Sequence, residues 1–181
     1  SMFITQKVGI ADRGRAMAAI NFNIYGYDYD HGIMIYGSFV FGYDHDTPDS
    51  FDRCVEFAQR SRFYLANFNP LTPMPGAALY ERLQSEGRLV HDRWWLAEDY
   101  RYGQATFRPR GMTADQLTEG CFRARREFNR YSSILSRAFD FGTNCRDPYR
   151  LGLFAASNLI SRRRPATFAV RNQRASLSSV R

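Results

Sequence analysis

Residues 33–41 have the sequence Ile33-Met34-Ile35-Tyr36-Gly37-Ser38-Phe39-Val40-Phe41, which is apolar almost throughout. A strand of this composition is typical of a parallel sheet whose two faces are both covered. Gly42 ends the run, and a helix start follows in which Thr47 is the expected N-cap and Pro48 the first helical residue. We predict that this helix ends near Ser61. Its buried side chains should be Phe51, Cys54, Val55 and Ala58.

A second strand and a second helix follow directly. Apolar and polar residues alternate from Phe63 to Asn69, and a rigid proline-glycine loop covers residues 71–76. Residues 77–86 have a helical pattern that Gly87 closes. Strand, helix, strand and helix in this order predict a parallel βαβ unit and an α/β fold. Upstream, residues 13–20 and 21–30 carry weaker helix and strand patterns.

The rest of the chain is predicted to be mainly helical. Residues 91–109 lack periodicity and favour an irregular covering segment, whereas Thr113-Ala114-Asp115-Gln116 is a capping box that begins a helix reaching Phe139. The apolar residues at steps of three and four on that helix are Leu117, Cys121, Ala124, Phe128, Tyr131, Leu135 and Ala138. Asp147-Pro148 begins a last helix to Ser161. We therefore divide the chain into a βαβ segment (1–90), a helical extension (91–161) and an arginine-rich flexible tail (162–181).

Charge is distributed unevenly along the chain. The net charge is +7, but residues 121–181 hold 13 arginines against three acidic residues, while the first 120 residues are slightly acidic. A continuous cationic surface for nucleic acid is therefore not expected. Only the tail could form one, and Phe168 is its single aromatic residue for stacking on bases. Nucleic acid is accordingly a disfavoured partner.

Cysteine usage and hydropathy indicate a cytoplasmic protein without a membrane segment. The sequence has no apolar run of about 18 residues and no secretory signal pattern. Cys54, Cys121 and Cys145 are too few and too scattered for a disulfide framework or a metal site. Because an odd number of cysteines fits a reducing compartment, we expect buried or inert thiols and no bound metal.

No catalytic motif stands out, so the candidate site is chosen by position. Ligands of parallel sheets bind beyond the carboxyl ends of the strands, which here carry Gly42, Asn67 and Asn69. The glycine would let a ligand approach the backbone, and the two amides need partners, either in neighbouring loops or on a ligand. The stretch Asp44-His45-Asp46 is either a cation site or, as the pattern favours, an acidic loop that caps the following helix.

Two segments together resemble a known family. Gly32-Ile33-x-x-x-Gly37-Ser38-Phe39-Val40-Phe41-Gly42-Tyr43-Asp44-x-Asp46-Thr47 resembles the next-to-last strand and helix of a radical S-adenosylmethionine (SAM) barrel. Asn69-Pro70-Leu71-Thr72-Pro73-Met74-Pro75-Gly76, followed by residues 77–89, resembles that family's last strand, loop and exit helix. The chain is most similar to the iron–sulfur oxidoreductases that often carry a cobalamin-binding domain.

The resemblance implies where ligands would lie. Ser38, Val40 and Gly42 would face SAM, although Ser38 stands where the family pattern often has glycine. Asn67 and Asn69 would face the substrate from the last strand. The parent enzyme would hold a four-iron–four-sulfur cluster and SAM, and the resemblance leaves open whether it also uses cobalamin.

One departure from the family decides the functional expectation. The Cys-x-x-x-Cys-x-x-Cys loop that binds the cluster is absent, so the resemblance implies the C-terminal part of a truncated barrel that is inactive alone and whose partner is the missing N-terminal part. The alternatives are an interaction module that dimerises through an exposed strand edge or the helix at 113–139, and, less favoured, a small arginine-rich RNA-binding protein.

Overall fold

The computed structural model describes residues 34–178, with side chains described up to residue 163. The weaker patterns predicted at 13–20 and 21–30 lie outside these residues. The described elements are β1 (Tyr36–Phe41), α1 (Asp49–Arg60), β2 (Leu65–Pro70), α2 (Ala78–Ser85), a short 3₁₀ turn (Trp94–Leu96), α3 (Ala114–Phe128), α4 (Tyr131–Ala138) and α5 (Pro148–Ser178).

The two strands form a parallel pair. Tyr36 lies opposite Leu65, and the register continues without interruption to Phe41 opposite Pro70. The α/β class and the parallel βαβ unit are therefore confirmed for residues 36–85. That these strands belong to a barrel stays a prediction, as does the division of the chain into three segments.

One face of the sheet carries an aromatic core. Phe39, Phe41 and Phe68 are at most 2% exposed, and the rings of Phe39 and Phe68 stack with centroids 5.1 Å apart. Phe51 of α1 lies 4.5 Å from Phe41, and Phe128 of α3 lies 5.7 Å from Phe68. We call this the covered face. The predicted cover on both faces is thus found on one face within the described part of the chain.

Helix α1 agrees with the sequence apart from its first residue. Phe51, Val55 and Ala58 are buried as expected, and Cys54 is half-buried. The N-cap is Pro48 rather than Thr47, and no side chain caps the helix. The backbone of Pro48 is already helical (φ −53°), since the proline ring fixes φ near the helical value. The N-cap of α1 therefore lies one residue later than predicted.

The helix predicted to run from Thr113 to Phe139 is two helices. The capping box is present, with Gln116 N donating to Thr113 Oγ1 at 3.1 Å and Thr113 N donating to Gln116 Oε1 at 2.8 Å. Asn129 ends α3, and its side-chain amide donates to the carbonyl of Arg125 at 2.8 Å. Such a local bond competes with continued helix, so the apolar face changes direction after Phe128.

The change of direction leaves two predicted core residues in solvent. Tyr131 and Leu135 are each 58% exposed, and α4 instead buries Ser133, Ile134 and Arg137. The single apolar face predicted from the sequence therefore holds for α3 and is wrong for α4.

Helix α5 is longer than predicted. It runs from Pro148 to Ser178, through the segment around Pro165 that was expected to end it near Ser161. A proline inside a helix removes one backbone hydrogen bond, which weakens the helix without necessarily ending it. None of the helices in residues 34–178 is long and apolar enough to cross a membrane.

Side chains from the helical extension cover the outer edge of β2. Arg125 Nε donates to the carbonyl of Phe68 at 2.8 Å, and Arg137 Nη1 donates to that of Phe63 at 2.8 Å. Asn158 Nδ2 donates to the carbonyl of Tyr64 at 3.1 Å. These donors therefore occupy the outer edge at Phe68 and at the two residues that precede β2, where they hinder the pairing of a further strand.

Arg137, like Asn158, is fully buried. Besides Phe63, it donates to the carbonyl of Phe128 at 3.0 Å and to Asn158 Oδ1 at 3.1 Å. Its guanidinium lies 3.8 Å from the centre of the Phe128 ring and 5.6 Å from that of Phe154. Burial lowers the pKa of Arg137 to about 10, so the group is still charged at neutral pH. Backbone carbonyls and aromatic rings thus stabilise this buried cation.

Candidate functional site

Four predicted site residues lie together on the sheet. In the parallel register Ser38 lies opposite Asn67, and Val40 lies opposite Asn69. All four alternate with the buried aromatic residues and so lie on the opposite face. Asn67 is exposed, and the other three are half-buried. We call Ser38, Val40, Asn67 and Asn69 the open face.

Both asparagines of the open face have protein partners. Asn67 Nδ2 donates to the hydroxyl of Tyr36 on the neighbouring strand. Asn69 Oδ1 accepts from Arg125 Nη2 at 2.6 Å. Hydrogen bonding to neighbouring protein groups, one of the two alternatives that the sequence left open, is therefore present at both positions. Each amide keeps its second polar atom, Asn67 Oδ1 and Asn69 Nδ2, on the open face.

Arg125 is a site residue that sequence reasoning missed. Its side chain bonds to both the backbone of Phe68 and the side chain of Asn69, and its guanidinium lies 5.3 Å from the centre of the Phe122 ring. In the sequence it is one of several arginines on an amphipathic helix, close to Arg123 and Arg126. No local signal separates it from those exposed neighbours, because its position is set by contact between α3 and β2.

Gly42 lies at the end of β1, where the chain turns. Its φ is +112°, and a Cβ there would approach Phe107 and Leu117 to 3.0 Å. Its N–H donates to Asp46 Oδ2 at 2.9 Å, and the N–H of Tyr43 donates to the same oxygen at 3.0 Å. Gly42 is therefore required for a tight turn and for close packing against the helical extension. The predicted contact of Gly42 with SAM stays a prediction.

A cavity of about 350 Å³ opens beyond the carboxyl end of β1. Its position agrees with the general location of ligand sites in parallel sheets. Backbone turns after both strands, helix α2 and the extension all contribute to the wall. The lining residues are Gly42, Tyr43, Asp44, His45, Leu71, Leu79, Arg82 and Phe107.

A network of charges borders this cavity. Asp44 lies 3.1 Å from Arg88, 3.4 Å from Arg82 and 3.8 Å from Arg110, and Glu86 lies 2.7 Å from Arg88. Burial by itself would raise the pKa of Asp44, but the hydrogen bond and charge of Arg88, with the charges of Arg82 and Arg110, lower it overall. Asp44 is thus an ionised carboxylate that holds the arginines at the rim.

These contacts also decide the role of the stretch Asp44-His45-Asp46. Asp46 is 2% exposed, and one of its oxygens accepts both turn amides. The carboxylate of Asp44 pairs with arginines. Within the described residues no group of three or more His, Cys, Asp or Glu side chains could hold a metal ion. The acidic residues therefore bond to the turn amides and to the arginines at the rim, and the expected capping of the following helix by this stretch is not found.

The cysteines are separate thiols. Cys121 is buried, and Cys54 and Cys145 are half-buried, with no disulfide among them. Burial raises the pKa of Cys121 to about 12, and burial with the charge of Asp46 raises that of Cys54 to about 12. Both thiols are therefore neutral at physiological pH in the ligand-free chain.

Part of the chain is similar to enzymes of methyl transfer. It is 32% identical over 107 residues to the bacteriochlorophyllide d C-12(1)-methyltransferase of Chlorobaculum tepidum, covering 59% of this chain and 22% of that protein. It is 39% identical over 62 residues to the hopanoid C-2 methylase of Rhodopseudomonas palustris, covering 34% and 12%. A third similarity is to the bacteriochlorophyllide d C-8(2)-methyltransferase of Chlorobaculum tepidum, 29% over 63 residues, covering 35% and 14%.

The chain therefore spans less than a quarter of the length of the curated relatives it matches. No family model matches the chain, and no solved structure matches it. The similarities support the radical SAM resemblance in a specific form, since all three names state methylation and none states an oxidoreductase activity.

Proposed function

We propose that this chain is the C-terminal part of a radical SAM methyltransferase and forms one wall of its SAM and substrate site. The observation that carries the proposal is the register of β1 and β2, which groups Ser38, Val40, Asn67 and Asn69 on the sheet face that the described helices do not cover. In a barrel the helices cover the outer face of the sheet, and the radical SAM resemblance implies that the inner face of these two strands faces the ligands. The similarity to three methylating enzymes supports the reaction class.

The covered edge of β2 supports the same placement. If β2 is the last strand of a barrel segment, one edge must be closed without a strand and the other must receive the preceding strands. Arg125 occupies the outer edge of β2 at Phe68, and Arg137 and Asn158 bond to the carbonyls of the two residues before the strand. Upstream strands would then join beside β1, which is the order that the resemblance implies.

The residues of this chain fit SAM and do not fit the cluster. Ser38 offers a hydroxyl and Asn67 a free amide oxygen on a face that Val40 makes partly apolar, a mixture suited to a nucleoside with a polar side arm. SAM supplies the methyl group or, in the radical reaction, an adenosyl radical. The protein groups bind and orient it and restrict water. The cysteines do not form a metal-binding group within the described residues, so no step through an iron–sulfur cluster is assigned to this chain.

The first test is anaerobic iron–sulfur reconstitution of the purified chain, with iron content, visible absorption and SAM cleavage measured together. We expect no stable cluster and no 5′-deoxyadenosine. A stable cluster with reductant-dependent cleavage would overturn the proposal that the chain is inactive alone. Sequencing the coding region on the 5′ side tests whether the chain is part of a longer enzyme, because the proposal requires an in-frame Cys-x-x-x-Cys-x-x-Cys stretch there.

A second test compares two serines in the chain co-produced with that upstream region. Ser38→Val removes the open-face hydroxyl, and Ser132→Val changes an exposed serine on α4. We expect SAM to bind about tenfold more weakly to the first variant, the cost of one hydrogen bond to a polar ligand, and equally to the second. Equal affinity of both variants would remove Ser38 from the site.

Dimerisation is a second candidate function, favoured by exposed apolar side chains on the extension. Leu135 is 58% exposed, Phe139 63% and Ile160 55%. A second copy of the chain that packs on these residues would bury them. Light scattering after gel filtration tests this, because Leu135→Glu should convert a dimer into a monomer, whereas a monomeric wild-type chain would exclude the candidate.

A further inference from the structure

We infer that Arg125 is a positioning residue that fixes the amide of Asn69, so that the open face presents an N–H donor at the end of β2. This inference rests on the proposed function, in which the open face contacts a ligand. The orientation of the Asn69 amide can also be measured in the ligand-free chain.

The orientation follows from the donor inventory. An asparagine amide has one accepting oxygen and one donating nitrogen, and an arginine can only donate. Because Arg125 Nη2 lies 2.6 Å from Asn69 Oδ1, the oxygen must be the atom that meets Arg125. The Nδ2 group, which makes no hydrogen bond to the described residues, is then left for a ligand.

Arg125 is held firmly enough to impose this orientation. Its Nε donates to the backbone carbonyl of Phe68 at 2.8 Å, one residue before the asparagine that its Nη2 contacts. Its guanidinium also lies against the ring of Phe122. Two hydrogen bonds from one planar guanidinium to adjacent residues leave little rotational freedom.

The consequence concerns the chemistry of the ligand. Asn69 lies opposite Val40, so the donor stands at an otherwise apolar position of the open face. A ligand group that meets Asn69 Nδ2 must accept a hydrogen bond, so the accepting atom is an oxygen or an unprotonated ring nitrogen. This atom belongs either to SAM or to the methyl acceptor.

Nuclear magnetic resonance of the ¹⁵N-labelled chain tests the positioning. Asn69→Ala identifies the two Nδ2 proton signals of Asn69 by their loss. A cation on Oδ1 increases the double-bond character of the amide, so in Arg125→Met we expect both signals to move upfield and the amide to rotate about tenfold faster. Arg123→Met is the matched control, since Arg123 lies on the same helix and pairs with Asp52 in solvent.

The alternative role, in which Arg125 only closes the strand edge through Phe68, would leave the Asn69 signals unchanged in a folded Arg125→Met chain, and that result would overturn the inference. Should Arg125→Met not fold, Arg125→Lys keeps the charge and the aliphatic stem but loses the planar fork. It should move the Asn69 signals part of the way, and unchanged signals in this variant would equally overturn the inference.

Titration with SAM then distinguishes whether the atom that accepts from Asn69 Nδ2 belongs to SAM or to the methyl acceptor. A downfield shift of the Asn69 signals in the wild-type chain, absent in Arg125→Met, assigns the accepting atom to SAM. A shift of the Ser38 and Val40 backbone amides without a shift at Asn69 excludes SAM as its source and assigns it to the methyl acceptor. A response at none of these residues would count against the proposed SAM site, while the ligand-free signals would still decide the role of Arg125.

Discussion

The two faces of the β1–β2 sheet are built from the same two strands and differ in what covers them. Phe39, Phe41 and Phe68 on the covered face are at most 2% exposed and pack against α1 and α3. Asn67 and Asn69, which alternate with Phe68 along β2, are exposed and half-buried. Because alternate residues of a strand point to opposite faces, the residues that stabilise the fold and those available to a ligand lie on different faces of the sheet. One face holds the fold together, and the other is free to carry polar groups.

The largest expected effect comes from removing a ring of the covered face. Phe68→Ala leaves a cavity between Phe39 and Phe128, which should lower the free energy of unfolding by about 4 kcal/mol. Urea unfolding followed by tryptophan fluorescence measures the loss. Phe141→Ala, at a side chain 71% exposed, is the control and should change little. Similar losses in both variants would contradict the comparison of the faces.

The second largest effect is expected when the buried guanidinium of Arg137 is removed. Arg137→Met keeps much of the volume but leaves the buried carbonyls of Phe63 and Phe128 without their donor, which should cost about 3 kcal/mol. Arg137→Lys should not rescue it, because one ammonium cannot reproduce the planar guanidinium. Arg130→Met, which breaks an exposed pair with Glu127, is the control. A stable Arg137→Met chain would show that the edge needs no closure.

A smaller effect appears as a pH dependence of stability. The pKa of Cys121 is raised from 9.0 to about 12 in the folded chain, so above pH 9 the unfolded thiol loses its proton and the folded one does not. This stabilisation is present below pH 9 and is lost as the pH rises toward 12. At about pH 10 the loss is about 1 kcal/mol. The free energy of unfolding, measured with urea at about pH 8 and about pH 10, should therefore fall further between these pH values for the wild type than for Cys121→Ala. Equal falls would place Cys121 in contact with water.

The smallest expected effect belongs to the open face. Asn67→Ala removes an exposed amide and its bond to Tyr36, and should change the free energy of unfolding by less than about 0.5 kcal/mol. The same urea titration measures it. A loss close to that of Phe68→Ala would mean that the open face is part of the core, and the comparison would no longer support a ligand site there.

Local patterns predicted the elements well where the signal is short-range. The apolar run at 33–41 and the alternation at 63–69 correspond to β1 and β2, and the capping box at Thr113 begins α3 as expected. The predictions failed where the break at Asn129 and the packing of α4 decide which residues are buried. Asn129 ends α3 and turns the chain, so Leu135 left the apolar face to which its spacing had assigned it.

The candidate site shows the same difference between local patterns and contacts made by the fold. Position at the strand ends selected Gly42, Asn67 and Asn69, because parallel strands end at the same edge of a sheet, whereas Ser38 and Val40 came from the family resemblance. Arg125 was not predicted, since its partners Phe68 and Asn69 lie more than 50 residues away in sequence. The cavity beyond β1 likewise depends on Phe107 and Arg82, which no motif connects to Gly42.

The sequence by itself determined the α/β class and the parallel βαβ unit, because strand alternation, helix capping and turn residues act over a few positions. Only the tertiary structure decided which face of the sheet is covered, how the edge of β2 is closed, and which of the many arginines meets Asn69. These outcomes depend on the packing of α3, α4 and α5 against β2, and such packing depends on shape and hydrogen bonding between segments far apart in the chain.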